Sequence, residues 1–169
     1  MDAVEPNRVW LEFGVATGGT LRMLAQHAPV IYGFDWFRGL PEDWRDGDGG
    51  LQEPRGKFAC SLPHDIPANA YLVIGLFENT LPDWLTEHSG PFGFVHIDCD
   101  LYSSTKFVLE QLEPHLDGTV IAFDEIGPFP AGDYHEGRAW REFLARGTYE
   151  AKLLGHQHTA GAVYKLRRK

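Results

Sequence analysis

The chain has 169 residues, 43% of them hydrophobic and 23% charged, which is the balance of one ordinary globular domain spanning residues 1–169. A formal net charge of -9 repels phosphate backbones and argues against a nucleic-acid partner, and the basic tail at residues 165–169 reads as a solvated chain end. No apolar run approaches the roughly 18 residues of a membrane span, no leader pattern opens the sequence, and Cys60 and Cys99 are too few for a disulfide framework; membrane and secretory classes are set aside and a cytoplasmic setting is expected.

In chain order, short apolar runs rich in β-branched and aromatic residues at 9–13, 30–34, 71–74, 92–97 and 119–123 predict buried strands. Their near-continuous hydrophobicity suits a parallel sheet covered on both faces. Between them the spacing predicts helices over 20–28, ended by Pro29, and over 81–88, with Pro82 in its first turn. A third helix is predicted over 105–116, capped by Ser103 or Ser104, and a fourth over 137–146, burying Ala139, Trp140, Phe143 and Leu144. Residues 149–154 and 162–166 follow without a helix between them, which predicts a hairpin and an antiparallel end to the sheet. Residues 38–68, broken by Pro54, Pro63 and Pro67, read as a long surface segment over the sheet, in the manner of a lid. The expected fold is α/β, doubly wound, with a mostly parallel seven-stranded sheet and a C-terminal antiparallel hairpin.

Open parallel sheets bind ligands beyond the carboxyl ends of their strands, so the residues after each strand carry the functional argument. The first loop, Glu12 to Thr20, is glycine-rich at Gly14, Gly18 and Gly19, which is neither the dinucleotide fingerprint nor a P-loop. Glu12 discourages a polyphosphate and suits a cationic group such as an ammonium, while Asp35, closing the second strand, is placed to accept both hydroxyls of a ribose. Asp98, Asp100, Asp124 and Glu125 end two strands expected to be neighbours; their mutual repulsion calls for a cation or an exposed edge, and hard oxygen donors suit Mg²⁺. His96 and Asp98 share a strand face, and His96 is read as a packed, hydrogen-bonded histidine; Cys99 is read as a small buried hydrophobe. Trp36, Phe37 and Phe77 are candidates to stack on an adenine ring or simply to cover the sheet edge.

The pattern Glu12, Gly14, Gly18, Gly19 resembles motif I of the class I S-adenosylmethionine-dependent methyltransferases, which share a Rossmann-like fold. The chain is most similar to the macrocin O-methyltransferase group, which methylates sugar hydroxyls on macrolides. The stretches that carry this are residues 32–41, 75–82 and 96–105, within a likeness running from Val9 to about Leu144. The resemblance implies S-adenosylmethionine bound at Glu12, Gly14, Thr17, Gly18, Thr20, Asp35, Trp36, Phe77 and Asp98. It also implies Mg²⁺ held by Asp98, Asp124 and Glu125, with Glu125 standing where the familiar pattern has Asp or Asn. Members usually carry a helical segment before the first strand that helps shape the acceptor pocket, and this sequence reaches its first strand at Val9.

The implied reaction is methyl transfer to a hydroxyl of a small molecule, a sugar or natural product, with Asp98 and Asp100 as the catalytic candidates. His135, His156 and His158 lie on later loops that could cover the pocket, and the lysine of catechol-type relatives is replaced by Leu101. A homodimer whose partner supplies pocket walls is also expected. The rival readings are a non-catalytic protein that binds S-adenosylmethionine or S-adenosylhomocysteine, and a nicotinamide-dependent oxidoreductase, against which the glycine spacing speaks.

Overall fold

The computed structural model describes residues 4–45, 52–126, 135–156 and 161–169. In chain order the elements are β1 (Trp10–Phe13), α1 (Gly19–Ala25), β2 (Ile31–Asp35), β3 (Trp44–Arg45), β4 (Gln52–Glu53), β5 (Ala70–Ile74), α2 (Phe77–Glu87), β6 (Phe94–Ile97), α3 (Tyr102–Leu112), β7 (Val120–Phe123), α4 (His135–Ala145), β8 (Tyr149–His156) and β9 (Ala162–Arg168). The main sheet has seven strands in the order β5-β2-β1-β6-β7-β9-β8. Its first five members run parallel, whereas β9 is antiparallel to both β7 and β8. The expected sheet and C-terminal hairpin are therefore present.

The chain winds outward from β1 to β2 and β5, then returns to place β6 and β7 on the other side of β1. Strand order reverses between β1 and β6, which opens a crevice at their carboxyl ends. Leu11, Phe13, Phe34, Val95, Ile97, Ile121 and Phe123 pack into a large core with Leu81, Leu109, Leu112, Trp140 and Phe143 of α2, α3 and α4. A smaller core joins Trp10 and Ile31 to Leu21 and Ala25 of α1. Period-2 alternation sends neighbouring strand residues into these two cores.

Several boundaries differ from expectation for local reasons. Helix α1 stops at Ala25, and the Asn69 side chain donates to the carbonyls of Ala25 (2.9 Å) and Ala28 (2.8 Å), satisfying acceptors left over at a helix end. Helix α2 begins at Phe77, so Pro82 lies inside it instead of in its first turn. Helix α3 starts at Tyr102 without a side-chain cap; Ser103 instead donates to Glu42. The missing N–H of Pro114 accompanies the change from α3 to a 3₁₀ turn over Glu113–His115. The segment after β2 contains a two-stranded ribbon, β3–β4, that periodicity did not announce. It is moored by Leu40 and Trp44 packing on Leu101, and by backbone bonds Leu40 N–H to Lys57 O (2.8 Å) and Gly56 N–H to Leu40 O (2.9 Å).

At the switch point the backbone turns with Gly14 at φ +92°, and a Cβ there would lie 1.7 Å from the Asp98 carbonyl oxygen. Strain and overlap with an immovable backbone atom add, so Gly14→Ala should cost about 3 kcal/mol of stability or more, read as a lowered urea midpoint.

Candidate functional site

A cavity of about 360 Å³ opens where the β1 and β6 ends diverge. Its lining unites Gly14, Ala16, Asp35 and Trp36 with Leu76, Phe77, Asp98, Cys99, Asp100, Asp124 and Glu125, and it is walled by Leu40, Pro41, Trp44 and Phe58 from the segment after β2. Those residues of the segment supply one wall of the site.

Asp35 organises the cofactor side of this cavity. Its Oδ2 accepts the backbone N–H groups of Val15 (2.9 Å) and Ala16 (2.8 Å), and its Oδ1 accepts that of Phe37 (2.7 Å). The carboxylate thus fixes the glycine-rich loop against the turn after β2. Oδ2 is filled by its two N–H donors, whereas Oδ1 keeps one lone-pair site toward a ligand. Trp36 lines the cavity with its indole N–H bonded to the Gly39 carbonyl, whereas Phe37 is buried in the small core. Phe77 lines the cavity and meets Phe13 edge-on at 5.4 Å between ring centroids.

Four sequence candidates lie outside the cavity lining. Glu12 is fully buried, Gly18 precedes α1 in the left-handed conformation, Thr20 sits in that helix, and Thr17 lines a separate hollow with Arg22 and Cys60. Glu12 pairs across the strands with His96, its Oε1 lying 3.4 Å from the imidazole Nδ1. Burial raises the Glu12 pKa. Burial opposes charge on His96, but Glu12, Asp98 and Asp124 outweigh it and raise the histidine's pKa. The histidine is packed and paired, as its strand position suggested. Cys99 is buried with its Sγ 3.4 Å from the Thr105 hydroxyl, and burial pushes its thiol far up, away from nucleophilic thiolate.

The opposite side of the cavity is acidic. Burial, followed by the charge of Asp124, pushes Asp98 up to about 6. Asp100, held at φ +60°, is pushed up to about 7 by burial and by Asp98, Glu125 and Asp124. Hard oxygen donors under mutual repulsion fit a divalent cation in their chemistry, although no group of three donors among the described residues is gathered at metal-binding spacing. Of the later histidines, His135 opens α4 and meets the Trp44 ring edge-on at 5.7 Å, and His156 ends β8; His158 lies outside the described residues.

One residue that the sequence reading passed over stands behind this cluster. Glu136, in the first turn of α4, is fully buried and accepts the backbone N–H groups of Cys99 (3.1 Å) and Glu125 (3.2 Å). The signal was in the helical spacing, since Glu136 precedes the buried Ala139, Trp140 and Phe143 at i+3, i+4 and i+7.

The sequence profile of a family described as methyltransferase domain matches residues 11–126. The chain belongs to this methyltransferase family. It is similar to the crystal structure of CalS11, the calicheamicin methyltransferase, at 29% identity and a TM-score of 0.70, over 94% of this chain and 72% of that one. The apo structure of CalS11, TDP-rhamnose 3'-O-methyltransferase, gives 26% identity and a TM-score of 0.60 over the same shares. The O-methyltransferase NovP shares the fold, with a TM-score of 0.69 at 19% identity over 99% of this chain and 74% of that one. No curated protein matches the sequence. The chain is thus a class I S-adenosylmethionine-dependent methyltransferase, and the nicotinamide reading falls. Among the described residues of this methyltransferase, no helix is long and apolar enough to cross a membrane.

The acidic cluster has a measurable signature. Asp98 and Asp100 sit above their ordinary value of 3.8, so the folded methyltransferase holds these protons more tightly than the unfolded chain does. The resulting stability is complete below about pH 4 and is lost as pH rises through the folded values near 6 and 7. In buffer free of divalent cations, Asp100→Asn should therefore melt above the wild type at about pH 8, with the gap closing toward pH 5.

Proposed function

We propose that this methyltransferase transfers the methyl group of S-adenosylmethionine to a hydroxyl of a small sugar or natural product, assisted by Mg²⁺. The observation that carries the reading is a single cavity, in which the Asp35-anchored glycine loop faces Asp98, Asp100, Asp124 and Glu125. When bound, S-adenosylmethionine supplies an electrophilic methyl on a sulfonium that departs as a neutral thioether. Asp35 Oδ1 offers an acceptor for a ribose hydroxyl, while Trp36, Leu76 and Phe77 form an apolar and aromatic wall suited to the adenine.

The acceptor would lie between the acidic residues and the wall of Leu40, Pro41, Trp44 and Phe58. Its hydroxyl oxygen would be aligned with the donor methyl, whose transfer would release the neutral thioether, and the hydroxyl proton would pass to a carboxylate. Asp100 suits that last role, because a group pushed up to about 7 exchanges protons near neutrality. Most of the acceleration comes from alignment and exclusion of water. Asp98, Asp124 and Glu125 would hold Mg²⁺, which would supply Lewis acidity and a template for neighbouring acceptor oxygens. The acidic lining suits a neutral or amine-bearing acceptor and a cationic methyl donor. The description of CalS11 as a TDP-rhamnose 3'-O-methyltransferase supports a sugar hydroxyl as the acceptor.

Calorimetric titration with S-adenosylhomocysteine, with Mg²⁺ and again with a chelator, tests both halves of the proposal. The expected result is micromolar binding under both conditions, together with a separate Mn²⁺ or Mg²⁺ signal that Asp124→Ala abolishes. Asp98→Ala should bind S-adenosylhomocysteine yet lose methyl transfer by at least about a hundredfold, as expected when a group acting on the reacting centre is removed. Full activity in Asp98→Ala would sink the metal-assisted mechanism.

A further inference from the structure

We infer that Glu136 is a positioning residue, a carboxylate that extends the hydrogen-bond ladder between β6 and β7 by one rung and so fixes the acidic side of the cavity. The inference rests on the methyl-transfer reading for its functional consequence, but the geometry stands by itself.

The regular β6–β7 ladder ends with Asp124 N–H donating to the Ile97 carbonyl (3.0 Å), while Asp98 N–H, on the other edge of β6, donates to the Phe13 carbonyl of β1 (2.9 Å). Beyond those bonds the loops part to make the crevice, and the next amides, Cys99 and Glu125, have left the strand pairing. The N–H groups of the buried Cys99 and the half-buried Glu125 find their acceptors in the two oxygens of Glu136. Neighbouring strands lie about 4.8 Å apart, a distance that one carboxylate can bridge with an oxygen toward each.

The bridge lands where it matters. Cys99 lies between Asp98 and Asp100, and Glu125 directly follows Asp124, so one side chain holds the backbone of both acidic loops. Asp100 is also held in a left-handed conformation, which aspartate adopts more readily than most residues. Helix α4 can bear this load because Ala139, Trp140 and Phe143 bury its following turns in the large core. A glutamine could not replace the carboxylate, since it offers one oxygen and would turn its NH₂ toward the other backbone N–H.

The test compares Glu136→Gln with Phe143→Leu, a change that loosens the same helix two turns away. Amide exchange by NMR and the S-adenosylhomocysteine dissociation constant are measured for both and for the wild type, well below their melting temperatures. The expected result is that the Cys99 and Glu125 amides exchange at least tenfold faster in Glu136→Gln, with cofactor-product affinity weakened at least tenfold. Phe143→Leu should lower the melting temperature while leaving both readouts within about twofold of the wild type. Unchanged amides in Glu136→Gln would overturn the bridge, and faster amides with unchanged affinity would overturn its positioning role. If the wild type does not bind S-adenosylhomocysteine, the methyl-transfer reading falls with the positioning role, while the amide comparison still decides the bridge. Should Glu136→Gln fail to fold, Glu136→Asp carries the same comparison, because it keeps both oxygens but withdraws them by one methylene.

Discussion

The rest of this molecule depends on a backbone contact, the approach of Gly14 to the carbonyl of Asp98 where β1 and β6 part. On one side of that contact the loop runs to Asp35, whose carboxylate collects three backbone N–H groups. On the other side lie the paired acidic loops. Cofactor and acceptor must meet within a few ångströms for methyl transfer, and a side chain at position 14 would hold the two halves of the site apart. The glycine serves close packing of main chain as much as its positive φ.

Around that contact the protein spends stability on charge. Glu12 and His96 are paired at the cavity floor, and four further carboxylates gather nearby. Removing such groups from water is unfavourable, and the clustering raises Asp98 and Asp100 in addition. The aromatic packing of the large core, where Phe13 stacks on Phe34 and Trp140 on Phe143, supplies offsetting stability beneath the site.

Much of this was legible in the sequence because buried parallel strands write themselves as short apolar runs, and because ligand groups follow them directly. Asp35, Asp98, Asp100, Asp124 and Glu125 were all found by reading strand ends, and all line the cavity. Less legible was whatever depends on contacts distant in sequence. Thr17 and Thr20 lie outside the cavity lining, because the loop aims Thr17 into a separate hollow and Thr20 is already within α1. Ser103 resembles a helix cap, yet its partner is Glu42, brought near by the segment after β2. Glu136 looks like any acidic residue in a first helical turn until the two amides it serves are placed beside it.

The pairing of β1 with β6 joins Trp10 to Phe94 across more than eighty residues of intervening chain. Contacts so remote are costly in loop entropy, whereas the β8–β9 hairpin and the α3–α4 packing are comparatively local. The crevice at the switch point therefore lies on the seam between the early β1–β2–β5 half and the later β6–β7–β9–β8 half of the sheet. A ligand seated across it joins the two halves of the chain, and its binding energy adds to the stability of the whole domain and not of one loop.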